Sequence, residues 1–172
     1  FGTEVYGTWS QLLAVVSLAA PAALLGLNIM IKRFLVTEKE ARLIRRKISA
    51  LVFLSLLVSV VLIFVLIGLA HPLGGSLFKL PSAVGLLVLA SAFIPLLALN
   101  VIYSDFFIAF GQLKKWAAAA LARDLVELAL IAGAVFWPVP QAAFFLVAVM
   151  IISLLAANVL ALVIGWRYLA PA

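Results

Sequence analysis

The chain has 172 residues, of which 68% are hydrophobic and 10% charged, and its mean hydropathy is +1.35. That balance excludes an ordinary soluble globule, which needs more polar surface to cover itself, and makes a lipid bilayer the natural solvent. The net charge of +6 comes without a soluble basic domain to hold a duplex, so no nucleic-acid partner is expected; with no cysteine and one histidine, no metal site and no cofactor is expected either.

In chain order, polar interruptions leave five apolar runs, at about 9–31, 48–70, 83–103, 116–136 and 142–164. Each reaches the roughly 20 residues that a helix needs to cross the hydrocarbon. Their continuous apolarity excludes the in/out alternation of a barrel strand. The expected fold is all-α, a single polytopic transmembrane bundle of five spans over residues 1–172. The chain starts at Phe1 with no charged region before its first apolar run, which therefore reads as a span within a longer protein rather than as a signal peptide.

The first run holds Pro21 near its middle and the third holds Pro95 past its middle; each removes a backbone donor and predicts a bend in its helix. Between the first two runs lies the main polar stretch, with Lys32, Arg33, Lys39, Arg42, Arg45, Arg46 and Lys47. Within it Thr37 and Glu40 have capping-box spacing, and Glu38 and Arg42 are spaced for an ion pair, which predicts that the helix of the second span starts there, its basic residues mainly setting topology or else facing anionic headgroups. The second run has only Ser55 and Ser59 as polar interruptions and reads as lipid-facing. The following polar segments carry Lys79 alone, then Lys114 and Lys115, then no basic residue, and the tail has Arg167. Basic and poor segments alternate, so the positive-inside rule places the N-terminus outside and the C-terminus in the cytoplasm. In the fifth run Ser153, Ala157, Ala161 and Gly165 recur at four-residue steps and predict a face for close helix packing.

The fourth run contains Arg123, Asp124 and Glu127, three ionisable groups where one central charge costs about 2.5–3.5 kcal/mol. Arg123 and Glu127 are one turn apart and are expected to pair; Asp124 points about 100° away and needs another partner or a proton. Arg123 is expected about 10 Å beyond Trp116, in the cytoplasmic third of its span. Two readings follow: a polar cavity that binds an anionic headgroup or a coupling ion, or a fixed ion pair that holds the fourth span to a neighbour.

The opening Phe1-Gly2-Thr3-Glu4-Val5-Tyr6-Gly7-Thr8-Trp9-Ser10, the Leu25-Gly26-Leu27 step and Lys32-Arg33-Phe34-Leu35 together resemble the polysaccharide and lipid-linked oligosaccharide flippases of the multidrug/oligosaccharidyl-lipid/polysaccharide exporter superfamily. Ala109-Phe110-Gly111-Gln112-Leu113-Lys114-Lys115 looks like the short link between that family's fourth and fifth helices. The resemblance implies that the five runs are helices two to six of an N-terminal lobe whose missing transmembrane helices belong to the same chain. It also implies alternating access, a polyprenyl-diphosphate-linked glycan as cargo, membrane lipid as surroundings, and a bacterial-type plasma (inner) membrane. On that register Arg33, with Lys32 beside it, is the positional match for a diphosphate contact. Arg123 is a further candidate, and Asp124 and Glu127 are candidates for a coupling-ion or cavity role.

Two other classes compete. A non-transporting scaffold or assembly subunit would use these charges for packing alone. A membrane enzyme of cell-surface glycan assembly would need acid/base or metal groups in its outward loops, where only Glu4, His71 and Lys79 stand; no catalytic residue is expected.

Overall fold

The computed structural model describes residues 3–35, 37–38, 40–73, 83–136 and 142–169. The loops expected around Lys79 and over 137–141 lie outside these, as does Lys39. Among the described residues all regular structure is helical: α1 (Thr3–Leu24), α2 (Leu27–Met30) running into a π-helical turn (Ile31–Leu35), α3 (Ala41–Leu73), α4 (Ala83–Ser91), α5 (Phe93–Ala109), α6 (Leu113–Phe136) and α7 (Ala142–Leu169).

Among the described residues four stretches are long and apolar enough to cross a bilayer: Gly7–Leu24, Arg42–Pro72, Val84–Ala109 and Ala143–Gly165. The run expected as the fourth span forms the helix α6, which has the length but is not one of these four: every 18-residue stretch of it includes Arg123, Asp124 and Glu127. That charge sets α6 apart from the other four.

The helix boundaries differ from the sequence reading for local reasons. The second span's helix begins at Ala41 rather than behind Thr37; Glu40 is its N-cap residue, since its carbonyl accepts the first intrahelical bond, from Ile44 N at 3.0 Å. Glu38 sits in the connection and accepts from Lys47 Nζ at 2.6 Å. In the third span the helix is interrupted at Ala92, between α4 and α5. Pro95, the third residue of α5, has no N–H to return to the Ser91 carbonyl, and its ring crowds that position, so α4 ends there. In the first span α1 runs on past Pro21 and stops at Leu24. The break falls at Leu25 and Gly26, both with positive φ, 47° and 74°.

α5 is the central helix, packed on α1, α3 and α7. Its Phe93, Ile94, Ala98, Ile102 and Phe107 are in the core with Leu12 and Val16 of α1 and Leu154 of α7. The small residues of α7 are buried, Ala161 completely, and a methyl group at Gly165 would lie 3.9 Å from the Phe107 ring. The predicted close-packing face thus meets α5. α5 ends in a Schellman turn: Gln112 N donates to Phe107 O at 2.7 Å and Gly111 N to Ile108 O at 3.1 Å, with Gly111 at φ 69°. That turn sends α6 back alongside α5 and α7.

α3 lies at the periphery. Phe53, Val61 and Phe64 are exposed, as a lipid-facing helix requires, whereas Ser55 and Ser59 are completely buried. The two serines therefore belong to the inward stripe that also holds Ile48 and Leu51, and the lipid face is the opposite one.

Candidate functional site

A groove of about 560 Å³ opens between α1, α5, α6 and α7. Leu13 and Ser17 of α1, Phe93 and Leu97 of α5, and Met150, Ser153 and Leu154 of α7 form its walls; Arg123, Asp124 and Glu127 of α6 supply its charge. The apolar walls follow from the sequence pattern of spans built to pack or face lipid. The polar edge comes from the one helix that departs from that pattern.

By helix rise Glu127 is about 21 Å from Leu113 and about 14 Å from Phe136, and Arg123 about 15 Å from Leu113. The trio is thus near the middle of α6. The helix begins three residues before Trp116, and its first turn carries Lys114 and Lys115.

The predicted Arg123–Glu127 pair is not formed. Arg123 instead bends sideways to its neighbour, with Nη2 and Nε 2.6 and 2.9 Å from one oxygen of Asp124. Asp124 is well exposed and can be paired at little desolvation cost. Glu127 is turned away into the groove, where Ser153 Oγ stands 3.3 Å from Oε2. That contact is weak for two reasons. It exceeds the usual O–H···O range, and the single hydroxyl proton of Ser153 is also claimed by Met150 O at 3.0 Å. Among the described residues no cation lies within ion-pair distance of Glu127. The groove therefore contains an Arg–Asp pair that is internally neutral and one carboxylate without a firm partner.

A second polar centre lies where α1 ends, α3 begins and α5 turns into α6. Lys32, in the π-helical turn, reaches Asp105 of α5: Nζ to Oδ1 is 2.9 Å. Asp105 was missed in the sequence, where it reads as one acid in a short polar link; it is buried because Phe106 and Phe107 carry it into the bundle end. Ring contacts Phe106–Phe110 at 4.7 Å and Phe107–Trp116 at 6.1 Å surround this turn. Arg33 is exposed. The two centres do not meet: Lys32 and Arg33 take no part in the groove.

Of the asparagines, Asn158 of α7 donates to Leu96 O of α5 at 2.9 Å, an interhelical bond, and Asn100 Nδ2 is buried without a partner among the described residues. No group of three or more His, Cys, Asp or Glu side chains converges among the described residues.

A family model described as polysaccharide biosynthesis protein matches residues 1–171. Among curated proteins and among solved structures, none matches the chain.

Proposed function

The chain belongs to the polysaccharide biosynthesis protein family, and from that premise we propose that this membrane protein is part of a flippase. It moves a polyprenyl-diphosphate-linked glycan between the leaflets of a bacterial-type plasma membrane by alternating access. In this reading α6 crosses the bilayer with the four more apolar spans, and the basic end of the bundle faces the cytoplasm.

The observation that carries the proposal is Glu127: a carboxylate near the middle of α6, in a groove, held among the described residues by neither a cation nor a firm hydrogen bond. A charge placed there for packing would be paired. Left open to a proton or a monovalent cation, it is suited to coupling, with Asp124 and its partner Arg123 at the same edge. The diphosphate contact is assigned to the basic end, where Arg33 is exposed with no carboxylate within ion-pair distance among the described residues and Lys32 stands beside it, half exposed. The protein acts on its cargo by translocation, with no catalytic residue.

The scaffold reading has one observation in its favour: the Glu127–Ser153 contact bridges α6 and α7. Export separates the two. Cells without the intact protein should accumulate the lipid-linked glycan on the inner leaflet, and Glu127→Gln should fail to restore export. Normal export in the deletion strain would refute the proposal.

A further inference from the structure

Asp105 and Lys32 form an unequal pair. Asp105 is 5% exposed, and its Oδ2 is buried with no hydrogen-bond partner among the described residues. The Lys32 side chain is half exposed, and Asp105 is its one carboxylate partner among the described residues, so the ammonium keeps donors for a second anion. Arg33, next in sequence, is exposed and has no carboxylate within ion-pair distance among the described residues.

Both basic residues sit on an arm, Leu27–Leu35, made of one short helix and a π-helical turn. The arm hangs from Leu25 and Gly26, two consecutive residues with positive φ; for Leu25 that region is strained. Ile31 is fully buried beneath the arm, and Lys32–Asp105 is its ionic tether to α5. Losing Lys32 would strand a buried carboxylate unless water could enter. The break at Leu25–Gly26 separates the arm from α1.

We propose that Asp105 is an internal counter-anion that positions Lys32. In the empty protein it holds the arm on α5; it gives Lys32 up to a diphosphate-type anion already engaged by Arg33, and the arm then pivots at Leu25–Gly26. Asp105 thereby sets a threshold, since an anion must outcompete a carboxylate already in place. This rests on the reading of Lys32 and Arg33 as headgroup contacts.

The test is calorimetric titration of the intact protein, in nanodiscs of phosphatidylcholine, with inorganic pyrophosphate. Asp105→Asn should bind about tenfold more tightly, the effect expected from removing a competitor that holds its partner about nine-tenths of the time. Adding Lys32→Gln to that variant should abolish the gain, and Arg33→Gln should weaken binding in either background. A loosened bundle end alone would not raise affinity. Unchanged or weaker binding by Asp105→Asn, with Arg33→Gln still weakening it, overturns the role of Asp105 and leaves the headgroup reading standing. Affinity indifferent to both Lys32→Gln and Arg33→Gln overturns that reading, and the role of Asp105 with it.

The lift can be read without touching the pair. The chain has no cysteine, and Met30 and Ile108 are both exposed, so Met30→Cys and Ile108→Cys accept spin labels. Their separation should lengthen at saturating pyrophosphate; an unchanged distance overturns the pivot.

Discussion

Neutralising Glu127 should make the protein more stable and less active at once. A charge at the centre of a span costs about 2.5–3.5 kcal/mol, and contact with an open groove offsets part of that. On the favourable side stands the Ser153 hydroxyl at 3.3 Å, which shares its proton with Met150 O at 3.0 Å. A contact of that length, formed part of the time, contributes well under about 1.5 kcal/mol. Gln keeps an acceptor for Ser153 and removes the charge. Glu127→Gln should therefore stabilise the fold by about 1–2 kcal/mol, which for a chain of this size raises Tm by about 2–8 °C. The assay is paired: thermal unfolding in nanodiscs, followed by tryptophan fluorescence, and glycan export in cells carrying the same variant. The expected result is higher Tm with lost export. A lower Tm with export intact would refute the reasoning, because it would make Glu127 a brace between α6 and α7.

Three further outcomes follow from the packing. Leu25→Gly should stabilise the chain by about 1 kcal/mol and Gly26→Ala destabilise it by a similar amount, measured by thermal unfolding; a methyl group at Gly26 meets nothing within 4 Å, so its cost is conformational alone. Ala161→Leu should cost about 1–3 kcal/mol, because Ala161 is completely buried on the α7 face that meets α5; denaturant unfolding reads this. Ser55→Ala should raise stability by about 1 kcal/mol in the same assay, since the Ser55 hydroxyl is buried without a partner among the described residues while its carbonyl serves Ser59 Oγ at 2.7 Å.

Much of the architecture was legible in the sequence. Apolar runs of span length left helices as the form available to them, and the four-residue recurrence from Ser153 to Gly165 announced the face that α7 buries. Boundaries were less legible. Pro21 marks a lost donor, but the chain breaks at Leu25–Gly26, where positive φ is a matter of backbone geometry that Leu25 does not advertise. Of the candidate site, the sequence identified Arg123, Asp124 and Glu127 because charges stand out in a span. It misassigned the pairing, because helical spacing says which side chains can meet and not which way a long arginine bends. Asp105 was invisible for a different reason: its significance comes from Lys32, on another helix, and from the phenylalanines beside it.

The length of α3 has a consequence for the surrounding bilayer. Its 33 residues extend about 50 Å, against a hydrocarbon layer about 30 Å thick. Even without its first turns, which carry Arg42, Arg45, Arg46 and Lys47, the apolar remainder exceeds that thickness. Such a helix answers a change in membrane thickness by changing its tilt. On the exchange proposed for Lys32 and Asp105, bilayers of short and long acyl chains should differ in how readily it occurs, because a change in the tilt of α3 moves its basic start relative to the neighbouring arm.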